Sequence, residues 1–302
     1  MEILSLPTDY SLGRITLYLP GEREHPQILE ARGSVRIPKV AKLFLDASQE
    51  LCDDLSRILL IPRRLLENGI AFIEKDLVKA DFRELRAIEP NCLVFSSCSG
   101  LRIGQFSQLG RSESLKHLNL SATPLDAQDY CWIRQFPNLK TLLLSGMGVD
   151  DECIAFLTDL QNLEDLSLTQ SRISDKGAHT IWGFANLRRV SLRECDIGDR
   201  ALEGVGSCSA LLDLNVPGTR VSDIGVETVT NEVLQNCKNM ASVSFRGCHI
   251  TDHALVRLAD LKSLRVVDVF RTNVTEEGLA YFKRTLPECI ILAEREKLGP
   301  TR

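Results

Sequence analysis

From residue 114 onward the chain repeats one pattern of apolar and polar positions. The segments SLKHLNLSATPL (114–125), NLKTLLLSGMGV (138–149), NLEDLSLTQSRI (162–173) and NLRRVSLRECDI (186–197) align column for column. ALLDLNVPGTRV (210–221), NMASVSFRGCHI (239–250) and SLRVVDVFRTNV (263–274) continue them. The leading residues, Leu115, Leu139, Leu163, Leu187, Leu211, Met240 and Leu264, recur every 24 positions except for one step of 29. Four apolar columns across the seven segments make 28 positions, and all are apolar. At 44% apolar composition, independent draws reach that with odds on the order of 10⁻¹⁰. Within each L-x-L the side chains alternate between two faces, which predicts a short strand with one face buried. A helix-length run follows each strand, so successive strands run parallel. One repeat cannot bury its own apolar face, so the units stack into an α/β solenoid around a shared core.

The pattern L-x-x-L-x-L-x-x-(T/S/C)-x-(L/I/V) resembles the leucine-rich repeat superfamily. The phrase (S/T)-D-x-G-hydrophobic, in SDKGA (174–178) and SDIGV (222–226), is similar to a 24-residue subtype common in bacterial repeat proteins and in F-box-type substrate receptors. The resemblance implies a horseshoe with a parallel concave β-sheet and convex helices. Where the superfamily often holds Asn, this chain has Thr123, Met147, Ser171, Cys195, Thr219, Cys248 and Thr272. Small hydroxyls and thiols can bond neighbouring backbone there; Met147 cannot, and is the weakest rung. Ser174-Asp175, Ser222-Asp223, Thr251-Asp252 and Thr275-Glu276 each supply a helix cap followed by an acid at the positive helix end.

Weaker repeats extend the array. GIAFIEKDL (69–77) and NCLVFSSCSG (91–100) fit, although Gly100 departs from the apolar rule, and at the far end Ile290 and Leu292 match the paired strand positions in ECIIL. Ten strands result. The five extra residues near 230–238 lengthen one convex helix or loop. Earlier, RITLYL (14–19), ILEARGSVRI (28–37) and KLFLDA (42–47) alternate with period two and read as three strands. Ser48 is placed to cap a helix over 49–60 that Pro62 stops. The organisation expected is a small N-terminal β-plus-helix cap at 1–65, a solenoid at 66–292 and a tail at 293–302.

Acids outnumber bases 41 to 36, for a net charge of -5, which argues against wrapping a nucleic-acid backbone. No apolar run approaches the 18 residues of a membrane span, and the first residues lack the basic start of a secretion signal. The ten cysteines contain no C-x-x-C, so they read as small buried residues in a reducing cytoplasm. No P-loop, dinucleotide fingerprint, H-E-x-x-H or G-x-S-x-G occurs. Cys248, His249 and His253 are better explained as rung, turn residue and helix start than as metal ligands. Neither catalysis nor a cofactor is expected.

What remains is the exposed sheet face, where solenoids bind. Its columns read His117, Thr141, Asp165, Arg189, Asp213, Ser242, Val266, then Asn119, Leu143, Ser167, Ser191, Asn215, Ser244, Asp268, then Ser121, Ser145, Thr169, Arg193, Pro217, Arg246, Phe270. Asp165, Arg189 and Asp213 form a self-compensating stripe. Arg193, Arg246, Phe270 and Arg271, with Asp268 partly neutralising them, form a candidate protein-binding patch favouring an acidic partner. The function expected is a non-enzymatic, monomeric protein-interaction scaffold. The resemblance also admits a ubiquitin-ligase substrate receptor, and residues 1–65 a ligand-binding or enzymatic role.

Overall fold

The structure, a computed structural model, describes residues 2–18, 26–38, 42–66 and 68–293. The chain divides into two compact units, Met1–Gly148 and Val149–Arg302. The first begins with β1 (Glu2–Ser5), β2 (Gly13–Tyr18), β3 (Gln27–Glu30), β4 (Ser34–Ile37) and β5 (Lys42–Ala47). β2 lies antiparallel between β3 and β5, and β1 pairs with β4. These are five strands where alternation suggests three. ILEARGSVRI is broken in the middle because Gly33, at φ 66°, turns the chain. The second half then pairs with β1, which is too short to betray itself by periodicity.

Ser48 does cap a helix, its Oγ accepting from the Leu51 N–H at 3.1 Å. That helix, α1 (Gln49–Asp53), gives way to a 3-10 turn over Leu55–Leu60, and α2 (Arg63–Leu66) follows Pro62. The break falls at Asp54, whose carboxylate accepts from Ser56 and Arg57 at 2.5 and 3.0 Å; such local bonds compete with a continuing helix.

β5 passes the sheet to the repeats by pairing in parallel with β6 (Ile70–Ile73). β7 (Cys92–Ser96), β8 (His117–Ser121) and β9 (Thr141–Ser145) continue it in parallel, with α3 (Arg83–Ile88) and α4 (Ile103–Leu109) between strands. Large rings fill the space behind them. Phe72 stacks on Phe95 at 5.2 Å, Phe95 meets Phe82 and Phe106, and Phe106 lies flat on Trp132 at 3.9 Å.

The second unit holds six parallel strands in register: β10 (Asp165–Ser167), β11 (Arg189–Ser191), β12 (Asp213–Asn215), β13 (Ser242–Ser244), β14 (Val266–Asp268) and β15 (Ile290–Leu292). The opposite side carries α5 (Asp151–Leu157), α6 (Asp175–Ile181), α7 (Asp223–Asn236), α8 (Asp252–Leu258) and α9 (Glu276–Thr285). α7 has 14 residues against seven in α6 and α8, and so absorbs the insertion. Its Glu232 reaches back to accept from the N–H groups of Gly204 and Gly206 at 2.9 and 2.8 Å.

All ten expected repeat strands are present, and the aligned apolar columns are buried except at Val274, in the last coil. Both units are therefore α/β solenoids. The expected tail beyond Ala293 lies outside the described residues.

Two ladders tie the coils together. In the first, the rung side chain donates to a carbonyl of the preceding repeat: Cys98 to Phe72 (3.0 Å), Thr123 to Phe95 (2.7 Å), Cys195 to Leu168 (3.0 Å) and Cys248 to Val216 (3.2 Å). Met147, which has nothing to donate, is 68% exposed.

The second ladder explains the (S/T)-D-x-G phrase. The acid at that position takes the backbone N–H of the next repeat's cap, and the hydroxyl as well where that cap is Ser or Thr. Asp175 of SDKGA, whose next cap position is Gly198, takes the N–H alone at 2.7 Å. Asp151 takes Ser174 (2.9 and 2.5 Å), Asp199 takes Ser222 (2.7 and 2.7 Å), and Asp223 takes Thr251 (2.8 and 2.6 Å). Asp252 holds Thr275 likewise, at 2.8 and 2.6 Å. The glycine makes room for this carboxylate: a Cβ on Gly177 would lie 2.2 Å from an Asp151 oxygen, and one on Gly225 would lie 2.6 Å from Asp199. Read from sequence as helix-dipole charge, Asp223 and Asp252 are inter-repeat clamps.

Candidate functional site

Three columns of side chains leave the open face of the second unit, and backbone pairing sets each in file. Asp165, Arg189, Asp213, Ser242 and Val266 are consecutive partners, as are Ser167, Ser191, Asn215, Ser244 and Asp268. Thr169, Arg193, Pro217, Arg246 and Phe270 follow where each strand turns away. The N–H of the residue after each donates to the neighbouring carbonyl, as from Glu194 to Pro217 and from Gly247 to Phe270 at 2.8 and 2.9 Å.

That turn is built from a left-handed residue after each strand from β6 to β14. Glu74, Ser97, Ala122, Gln170, Glu194 and Arg271 have φ between 54° and 58°, and Gly146, Gly218 and Gly247 occupy the same step. The left-handed step ends the strand, so the side chains beside it stand at the rim of the open face.

The expected stripe is present. Arg189 donates to Asp165 at 2.5 Å. Burial pushes the Asp213 carboxyl up from its ordinary value, against the pull of Ser242 and Arg189. An exposed pair of this kind contributes roughly 0–1 kcal/mol, so the stripe shapes the face more than it stabilises it.

The candidate patch divides in two. Arg246 lies over the Phe270 ring, its guanidinium carbon 4.5 Å from the centroid, with that of Arg271 at 5.8 Å. Asp268 braces this group: it accepts from the Phe270 N–H at 3.0 Å and from Ser244 at 3.4 Å, and pairs with Arg246 at 3.3 Å. Arg193 belongs to a second cluster. It grips Glu194 at 2.8 Å, and Glu194 also accepts from Gln170 at 2.7 Å. The Gln170 amide and then Arg193 hold the Glu194 carboxyl below its usual range.

The last strand sits one residue out of its expected register. Ile290 aligns with Val266, Ile291 with Val267 and Leu292 with Asp268. Ile291 therefore continues the core file, while Ile290 and Leu292 extend the outward columns, 60% and 46% exposed. An apolar pair flanking another apolar residue fits both registers, and in the sequence IIL only tertiary pairing decides. The open face consequently ends in apolar side chains that sequence reasoning assigned to the core.

Burial pushes the Cys52, Cys153 and Cys208 thiols up to about 12 and Cys92 up to about 11, which suppresses the nucleophilic thiolate. Cys248 is a rung, His249 donates its backbone N–H to Val221, and His253 is exposed at the start of α8. No cluster of three or more metal-ligating side chains occurs among the described residues. No helix among them is long and apolar enough to cross a membrane. In the first unit, an open groove of about 510 Å³ lies between Ile58–Leu66 and Ala87–Asn91, with Arg63 and Glu89 as its charged lining.

No family model matches the chain, and no curated protein matches it. Among solved structures, it is similar to an internalin of Listeria monocytogenes at 15% identity. That match covers 78% of this chain and 69% of the other, with a TM-score of 0.54. A match to an internalin C2 of the same organism has 20% identity, 66% and 76% coverage and a TM-score of 0.46. The first likeness shows the fold, a leucine-rich-repeat solenoid.

Proposed function

We propose that the chain is a non-enzymatic protein-interaction scaffold that binds a protein partner across the open face of β10–β15. The carrying observation is the Arg246–Phe270–Arg271 cluster, a stacked aromatic and two guanidinium groups on a face that also carries the Asp165–Arg189–Asp213 stripe, Arg193 and a middle column of Ser and Asn. Arginine and aromatic anchors supply most of the energy of protein interfaces, and a guanidinium over a ring gains further when a partner excludes water. Arg193, Arg246 and Arg271 set against Glu194 and Asp268 leave one net positive charge (three minus two). That local excess suits an acidic segment seated on the patch itself, since the framing Arg189, Asp165 and Asp213 carry one net negative charge (one minus two).

Ten free cysteines favour a reducing, cytoplasmic setting. The region directly ahead of the repeats folds as β1–β5 and not as the helical F-box that the resemblance to ubiquitin-ligase receptors calls for, so the substrate-receptor reading stays an alternative. A ligand-binding role for residues 1–65 rests on the groove beside Arg63 and ranks second.

The test is capture from the native cell by the immobilised full chain, with the bound proteins identified by mass spectrometry. Arg193→Glu combined with Arg246→Glu is expected to abolish capture of the specific partner, and Phe270→Ala to weaken it at least tenfold. Undiminished capture by both variants removes this face from the function.

A further inference from the structure

β15 is the last strand of the second unit's sheet, and among the described residues no strand pairs with its outer side. Ile290 donates its N–H to Arg265 and Leu292 accepts from the Val269 N–H, both at 2.8 Å and both toward β14. Backbone groups alternate along a strand, so the N–H and C=O of Ile291 point away from β14 to the bare side. Edge strands are ordinarily guarded by shortness, charge, proline or a bulge; β15, three residues reading Ile-Ile-Leu, is short but carries no charge or proline.

We propose that two copies of the chain pair edge to edge through β15, antiparallel about a two-fold axis at Ile291. This goes beyond the proposed partner binding and does not depend on it. About that axis, Ile291 exchanges both backbone hydrogen bonds with its counterpart. Ile290 of each copy then lies opposite Leu292 of the other, covering the side chains the register leaves exposed.

The flanks agree in charge. At the N-terminal end of β15 a groove of about 460 Å³ is lined by Lys262, Arg265 and Glu288. At the C-terminal end one of about 700 Å³ is lined by Arg271, Glu276 and Glu277. A two-fold axis lays each end against the other, setting Lys262 and Arg265 toward Glu276 and Glu277, and Glu288 toward Arg271. An interface with its own symmetry closes after two copies, so it gives a dimer rather than a fibre.

Sedimentation equilibrium on the full chain tests the proposal, from micromolar to sub-millimolar loading. The mass is expected to rise toward twice the 33.7 kDa of one chain. Ile290→Asp with Leu292→Asp sets like charges across the axis and is expected to weaken association about 100-fold, with an unchanged thermal melt as the control for folding. A chain that stays monomeric throughout overturns the proposal, as does a dimer indifferent to the two aspartates. Register is checked separately by mild oxidation. Ile290→Cys mixed with Leu292→Cys is expected to crosslink more than either variant alone, and equal crosslinking in all three preparations overturns the two-fold pairing.

Discussion

The two units stack the same strand-and-turn repeat but join their coils with different chemistry. In Met1–Gly148 the space behind the strands is filled by Phe72, Phe82, Phe95, Phe106, Trp132 and Phe136, which touch ring to ring across repeats. In Val149–Arg302 successive coils are fastened by Asp151, Asp199, Asp223 and Asp252, each holding the next cap. The open faces differ in the same sense. The first offers Val94, Asn119 and Leu143 with Ser96, Ser121 and Ser145, whereas the second offers paired Arg and Asp side chains around Phe270. The contrast teaches that the repeat requires only a buried file of aliphatic side chains. How coils are fastened, and what the outer columns carry, is left to local chemistry.

The sharpest way to break this comparison is to remove one fastening from each unit. Phe95→Ala deletes the ring at the centre of the aromatic stack and is expected to cost about 3–5 kcal/mol. Native-state hydrogen exchange should show the loss concentrated in β6–β8; uniform loss across both units would mean that the aromatic stack stabilises the chain as a whole.

In the second unit, Gly225→Ala is the corresponding probe. Alanine in place of a helical glycine ordinarily stabilises by about 1 kcal/mol. Here the new Cβ would meet the Asp199 carboxylate at 2.6 Å and Val221 at 2.9 Å, so a loss of about 1–3 kcal/mol is expected. Urea unfolding of Gly225→Ala, Asp199→Ala and the double variant measures the coupling. The two losses should be less than additive, because the methyl group clashes with the carboxylate that the second change removes.

Asp213 sharpens the comparison of faces, and its effect is smaller. Its folded pKa is raised, chiefly by burial, so the native state holds the proton more tightly than the unfolded chain does. Ionisation of this residue therefore works against folding at neutral pH, and that opposition fades as pH falls through the raised folded value and is gone below the ordinary value of 3.8. Asp213→Asn should be the more stable protein at pH 7, with the two stability curves converging in acid. An asparagine variant less stable at pH 7 would show that the Arg189 attraction outweighs burial.

The smallest expected change is a gain. Ala122 occupies the left-handed turn step at φ 54°, which costs an ordinary residue about 1–2 kcal/mol. Ala122→Gly relieves that strain while loosening the unfolded chain, for a net stabilisation of about 0.5 kcal/mol readable as a higher urea midpoint.

Much of the fold was legible because each requirement recurred. Leu118 stands beside Leu142 in the first unit and Leu166 beside Val190 in the second, all four buried, as their period demanded, and Met147 is the failed rung its chemistry implied. Legibility ended where a feature occurs once or depends on a neighbour far along the chain. β1 is a four-residue strand whose partner is 30 residues away. The Asp clamps pair side chains about 23 residues apart, so a local reading sees only an acid at a helix start. Of the candidate site, the columns were readable by alternation, but the stacking of Arg246 on Phe270 and the capture of Arg193 by Glu194 required side-chain packing.

By itself the sequence determined the repeat, the parallel strands, the buried file and which residues look outward, because burying aliphatic surface at a fixed period admits one periodic arrangement. Tertiary structure alone decided the register of Ile-Ile-Leu at β15, the partners of each arginine and the purpose of the (S/T)-D-x-G phrase. Those outcomes turn on distances of a few ångströms between groups in different coils, and a linear pattern carries no record of them.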